Sequence, residues 1–463
     1  AHCVDDDGEG VADAANYFVT FELPTGDITM TVPGADVIVH PGWGGSANIL
    51  GGNDLAILEL PAIAPHTAEQ YGLYTNTNEV SQIFQIVGYG RTGTGTTGNQ
   101  AGTGGTKRTG FNRWDAVADV LNAAPMSMGL TAPANTTLAY DFDNGLAAND
   151  AFGAGYAINN LGQGANEGMQ APGDSGGPAF IGGLISGIVS FSRQRYASPP
   201  DVDGVGNNTF GEFAVMTRVS SFTGYINTQV AGPFDLVFDM NAQPEGNDGN
   251  ADLITVRRSG ANLVILVGAS VAYSGPFTDV RSLSVLGSDD NDTLRIEETA
   301  SGLVSFASAS PFSLHGAGID FDGGLGSNSL QMVFTTSRTN TYRPTNLGAA
   351  NSGFYQLSGL ANTYLSFEGL APVVVAGLGA LNVDATALAG LNTININDLN
   401  AANDGLSIIT GNGGFESITF SGFSSLSVLA GNGPDTVNLN SLDPATSLTS
   451  ARISGDNTTS TDN

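Results

Sequence analysis

Apolar and polar residues alternate with a period of two over short runs throughout the chain, as at Thr393-Ile394-Asn395-Ile396-Asn397, and Gly, Asn, Asp and Pro punctuate the runs. That is the pattern of half-buried strands joined by turns. Tyr17 to Leu23 and Ile28 to Val32, parted by Pro24-Thr25-Gly26-Asp27, predict a hairpin, and Asp54 leads into a short strand that ends near Leu60. Helical periodicity is weak up to residue 230, and Asp115 to Ala123 is too short to decide. The expected fold class is all-β.

A change of character follows Tyr225 and Ile226. Pro233 and the turn-rich Gln243-Pro244-Glu245-Gly246-Asn247-Asp248-Gly249-Asn250 divide the chain into residues 1–230 and 231–463. In the second part Leu283-Ser284-Val285-Leu286-Gly287 with Asp292-Thr293-Leu294-Arg295-Ile296 is echoed by Leu426-Ser427-Val428-Leu429-Ala430-Gly431 with Asp435-Thr436-Val437-Asn438-Leu439. Ile319-Asp320-Phe321-Asp322-Gly323-Gly324 is a partial third copy. Repeated strand, Gly/Asp turn and strand predict a β-solenoid-like or stacked-sheet domain whose rungs bury one another. The longest apolar run, Leu370 to Leu381, is broken by Pro372, Gly377 and Gly379, so no transmembrane segment is expected.

Charge narrows the partners. With 44 acidic and 14 basic residues the net charge is −30, a field that repels nucleic acid and anionic membranes and favours an extracellular, secreted or cell-surface setting. The acidic run Asp5-Asp6-Asp7-Gly8-Glu9-Gly10 lacks EF-hand spacing and reads as a solvated turn, with a calcium loop as the alternative.

The candidate chemistry centres on Gly173-Asp174-Ser175-Gly176-Gly177-Pro178. A serine hydroxyl becomes a useful nucleophile only beside a base and donors for an oxyanion, and the flanking glycines let backbone and substrate approach closely. This hexapeptide resembles the active-site signature of chymotrypsin-like (trypsin-type) serine endopeptidases. Ala1-His2-Cys3 resembles that family's histidine motif and Gly52-Asn53-Asp54-Leu55-Ala56-Ile57-Leu58 its aspartate motif. His2, Asp54 and Ser175 stand in the family's order. Val37 to Trp43, Val87 to Thr92, Gly187 to Phe191 and Thr217-Arg218-Val219 extend the likeness across residues 1–230.

The resemblance implies a double β-barrel whose first barrel lacks its N-terminal strands, acting on protein or peptide substrates. Ser175 is then the nucleophile, His2 the base and Asp54 its orienting partner. The N–H groups of Gly173 and Ser175 form the oxyanion hole, and Asp174 pairs with an activation-generated amino terminus. Met169, Gln170, Ser190, Phe191 and Ser192 line the specificity pocket. Met169 occupies the position where trypsin-type members carry aspartate, which favours an uncharged residue at the cleavage site, with Glu167 near enough to alter that. The family's cysteine at position 3 pairs upstream; a buried lone thiol is the alternative for Cys3. His40 and His66 read as structural.

No metal is expected at the catalytic part and no cofactor overall. The second region resembles the Gly/Asp-rich calcium repeats of secreted bacterial proteins without being tandem nonapeptides, so calcium there is the alternative to no cofactor. Residues 231–463, which read as truncated at their end, are expected to provide cell-surface or extracellular-matrix attachment or substrate contact. The competing functional class is a surface adhesin or structural protein with a catalytically silent protease-like part.

Overall fold

A computed structural model describes residues 1–123, 128–164, 167–194, 199–306, 318–345, 351–359, 364–388, 393–400, 403–412, 415–431 and 434–455. The chain is mostly β and divides into two compact units. The first comprises Ala1–Val19, Thr31–Leu60 and Glu69–Ala231; the second comprises Thr20–Met30, Pro61–Ala68 and Gly232–Asn463. The division at 231/232 falls beside the Gly232-Pro233 turn, but two short stretches of the expected first region group with the second unit. A single cut at residue 230 therefore misassigns the tip of the first hairpin and the Pro-flanked loop around His66.

Strands β1 (Asn16–Phe21) and β2 (Ile28–Pro33) pair as expected, and β3 (Val37–Val39) pairs antiparallel with β4 (Ala56–Leu58). Next come β5 (Ile83–Gly88), β6 (Gly93–Thr94), β7 (Gly98–Asn99), β8 (Arg108–Arg113), β9 (Ala116–Val117), β10 (Thr137–Phe142), β11 (Pro178–Ile181), β12 (Leu184–Arg193) and β13 (Glu212–Arg218). Seven of these make one antiparallel sheet in the order β8-β5-β11-β12-β13-β10-β9.

Every residue of β10 and β13 is buried. Side chains of a strand alternate in direction, so Leu138, Tyr140, Ala214 and Met216 join one core, and Ala139, Phe213 and Val215 join another on the opposite face. In the first core Phe84 stacks on Trp114 with ring centroids 3.9 Å apart, and Tyr140 meets both rings edge-on.

Among the described residues two α-helices interrupt the strands. α1 (Ala151–Tyr156) is capped by the Asp150 side chain, which accepts from the Gly153 N–H. α2 (Val219–Gln229) buries Val219 and Phe222. The spacing Val219, Phe222, Tyr225, Ile226 is a helical stripe, diluted by Gly224 and by Thr and Ser of low helix propensity. The undecided segment Asp115–Ala123 holds β9 and one 3₁₀ turn, Ala118–Asn122.

In the second unit strands stack in parallel and in register. Phe238, Val285, Phe321 and Phe367 form one column across the ladders of 234–239, 280–286, 319–322 and 365–368, and all four are fully buried. Ile254, Leu294, Leu330, Val373 and Ile418 form a second column, likewise fully buried. Each such side chain contributes about 1.5–3 kcal/mol on leaving water. The repeat around 425–429 pairs in parallel with 380–384 and 450–454. Antiparallel excursions interrupt the stacking at 252–259, 262–267 and 270–276, where turns at Gly260 and Gly268 reverse the chain.

Candidate active site

Both carboxylate oxygens of Asp54 are held by the residues around them. Asp54 follows Gly52 and Asn53, both at positive φ, and precedes β4. Its Oδ1 accepts from the main-chain nitrogens of Ala1 (2.7 Å) and His2 (2.9 Å), and its Oδ2 meets His2 Nδ1 at 2.7 Å and the Ser190 hydroxyl at 2.5 Å. The Thr217 hydroxyl, from β13, donates to the Asp54 carbonyl at 2.9 Å. Asp54 is only 3% exposed. Burial alone would raise its pKa, but the hydrogen bond from His2 and the charge of its imidazole act against that, and the carboxyl lies below its ordinary range. The same hydrogen bond lifts His2 to about 9, with the Cys3 sulfur adding to the effect and burial opposing it.

Ser175 sits exposed at the turn between Gly173 and β11. Gly173 has φ +100°, a left-handed backbone suited to glycine, and a Cβ there would come within 3.1 Å of Gly90. The Asp174 N–H donates to Ala171 O, Gly176 N–H to Val189 O and Gly177 N–H to Asp174 O. Among the described residues the N–H groups of Gly173 and Ser175 make no hydrogen bond. Val189 N–H returns to Gly177 O, so the turn is clamped to β12 one residue before Ser190. No hydrogen bond joins Ser175 to His2 among the described residues. His2, Asp54, Gly176 and Val189 line one small cavity of about 160 Å³, and Ser175 and Val189 line a neighbouring one of about 380 Å³.

That larger cavity is bounded by Gln170, Ser190, Phe191 and Ser192, with Asn208 and Glu212. Met169 is not among its walls. Gln170 lines the cavity with Ser175 while its amide oxygen accepts from the Tyr140 hydroxyl at 3.3 Å, whereas Met169 packs on the Phe84–Trp114 core and lines a different cavity with Glu167 and Asp174. Glu167 accepts from the Asp143 N–H, and burial pushes it up to about 8, which keeps it protonated at neutral pH. Ser190 does more than line a wall, since its hydroxyl is spent on Asp54.

Asp174 makes no ion pair among the described residues. Its oxygens accept from the Gly90 N–H (2.7 Å) and the Ala171 N–H (2.8 Å), so main-chain donors stand where the resemblance expects an amino terminus. Cys3 is a free, exposed thiol, which corrects the alternative of a buried one. His40 packs edge-on against Phe222 and Tyr225, and burial lowers its pKa. His66 lies in the second unit with Gln243 and Glu245. Arg218 makes a two-pronged buried ion pair with Glu79. Reasoning from sequence missed Glu79, Thr217 as a support of Asp54, and Asn208 and Glu212 as cavity walls. Only Thr217-Arg218 stood in a recognisable motif.

The acidic run at the N-terminus brings oxygens of Asp5, Asp7 and Asp13 within 4.8 Å of one another, and Asp398, Asp404 and Asp443 do the same in the second unit. Asp5 is filled by the N–H groups of Gly8, Glu9 and Gly10, and Asp443 by those of Asp404 and Ala445.

No family model matches the chain, and no curated protein matches it. Among solved structures, neuropsin, a serine protease expressed in the limbic system of mouse brain, is similar over 44% of this chain and 73% of its own, with 18% identity and a TM-score of 0.31.

Proposed function

We propose that the chain is a serine endopeptidase whose first unit hydrolyses peptide bonds through Ser175, His2 and Asp54. The observation that carries this reading is the Asp54 carboxylate, which holds His2 by Nδ1 while Ser190 and two main-chain nitrogens fix the carboxylate itself. Such a carboxylate selects the imidazole tautomer whose Nε2 can accept a proton and steadies the imidazolium that results. Ser175 attacks the carbonyl and forms an acyl-enzyme, and His2 passes its proton to the leaving amine. The unengaged N–H groups of Gly173 and Ser175 receive the oxyanion, each such donor lowering the barrier by about 2.7–4 kcal/mol.

The scaffold of this reading is a pair of barrels built on β1 to β13, with an extracellular or cell-surface setting suggested by the acidic charge. The second unit is a stack of parallel rungs that provides attachment or substrate contact. The cavity beside Ser175 has neutral walls at Gln170, Phe191 and Ser192, and the one carboxylate among its described walls, Glu212, is occupied by the N–H groups of Asn207 and Thr209. Cleavage after uncharged side chains is therefore expected. A peptide-library digest with the wild type and Ser175→Ala tests both points. Ser175-dependent cuts after apolar or neutral residues support the reading, a dominant Arg or Lys preference overturns the specificity, and cleavage that survives the substitution overturns the mechanism.

A further inference from the structure

Residues 201–212 run Asp-Val-Asp-Gly-Val-Gly-Asn-Asn-Thr-Phe-Gly-Glu. Side-chain oxygens stand at positions 1, 3, 9 and 12 and glycine at 6, the order used by twelve-residue calcium loops that close on a glutamate and take a main-chain carbonyl at position 7. Position 5 departs from it, since Val205 offers no side-chain oxygen. Helices do not flank the loop; Glu212 opens β13 instead.

A second observation is independent of this pattern. Asp201 is fully buried, yet its Oδ2 has no hydrogen-bond partner, while Oδ1 takes the N–H groups of Asp203 and Gly204. The Thr209 hydroxyl stands 3.4 Å from Asp201 Oδ1, 3.3 Å from Asp203 Oδ1 and 3.3 Å from Glu212 Oε1. One hydroxyl hydrogen serves one acceptor at a time. Asp203 also takes the Val205 N–H and the Asn207 amide, and Glu212 takes the N–H groups of Asn207 and Thr209, which leaves Asp201 Oδ2 as the buried oxygen without a donor. Among the described residues no arginine or lysine pairs with any of them. Asp201 and Glu212 are buried while Asp203 is exposed, and a buried carboxylate needs a counter-charge.

We propose that Asp201, Asp203 and Glu212 bind one calcium ion, and that the ion sets the wall of the cavity beside Ser175. The link to that cavity is direct. Gly206, Asn208 and Glu212 line it, and Asn208 Nδ2 donates to the Gln170 carbonyl at 3.0 Å. Asn99 holds the far side of the loop through Asn207 O (2.9 Å) and Asn208 Oδ1 (2.8 Å). Oxygen-only ligands in a flexible loop suit calcium, whereas magnesium asks for a tighter octahedron. The three carboxylates stand wider apart than those of the two other acidic clusters, spaced by Thr209, so binding draws Asp203 and Glu212 inward. Ion binding itself does not depend on the hydrolase reading; only its effect on substrates does.

Chelator-treated full-length chain titrated with calcium chloride in a calorimeter, with hydrogen exchange followed in parallel, tests the site. The expected result is saturable binding that weakens at least tenfold in Asp201→Asn and Glu212→Gln but not in Asp7→Asn or Asp404→Asn, with slowed exchange of amides 203–212. Should the loop variants fail to fold, the exchange map of the wild type decides. No calcium binding, binding unchanged in the folded loop variants, protection confined to other segments, or equal protection by magnesium would each overturn the assignment. Serine labelling of the same samples is a separate readout, so loss of the calcium site and loss of the nucleophile are told apart.

Discussion

The Ser190 hydroxyl donates to Oδ2 of Asp54 at 2.5 Å, the same oxygen that meets His2 Nδ1 at 2.7 Å. Because Val189 is bonded through its own N–H and C=O to the turn around Ser175, β12 couples the carboxylate to the serine turn over two consecutive residues. Ser190 is thus a positioning residue. A hydrogen bond to a charged group is worth about 1.5–3 kcal/mol, so Ser190→Ala is expected to lower kcat/KM by roughly 10- to 100-fold. Steady-state kinetics check this, and KM should change little if Ser190 acts through Asp54. A matching loss confined to KM would mean that it acts as a pocket wall alone.

The raised His2 gives a pH signature. A general base works only when neutral, so activity should climb with pH along a limb near 9 in place of the ordinary 6.5. Stability runs the other way. A group whose folded pKa is raised contributes fully below its unfolded value of 6.5 and loses that contribution as pH passes about 9. A pH profile of kcat/KM together with urea melts at pH 6 and pH 10 measures both, and His2→Gln should flatten the stability difference. An acid limb near 6.5 contradicts the Asp54–His2 coupling described above.

Glu79 and Arg218 make the strongest structural prediction. Both are buried, and the Ser220 hydroxyl and Thr77 carbonyl complete their hydrogen bonds. Removing one partner strands the other charge, so Glu79→Ala should destabilise the first unit by about 3–5 kcal/mol. Replacing both by apolar residues of similar volume should recover much of the loss. Denaturant unfolding of the single and double variants gives the comparison.

The strands and the serine turn were legible because they are local. Alternation marks a strand with one wet face, as at Thr393–Asn397, and GDSGGP is a contiguous signal. What escaped was written across distance or hidden by burial. β10 and β13 are buried on both faces and so show no alternation. Glu79 meets Arg218 from 139 residues away, and Ser190 reaches Asp54 across 136. Met169 stands six residues before Ser175, but its side chain packs on the Phe84–Trp114 core, a contact with residues distant in the chain that spacing does not show. Asp174 found main-chain donors in Gly90 and Ala171, partners that side-chain chemistry does not announce.

The central claim is that Ser175 is a nucleophile activated by His2. The most direct measurement is covalent labelling by a fluorophosphonate probe at pH 9, with the labelled residue located by peptide mass mapping. The account predicts stoichiometric modification of Ser175, absent in Ser175→Ala and slowed by orders of magnitude in His2→Ala. Labelling that persists in Ser175→Ala, or a folded wild-type chain that takes up no probe, would contradict it.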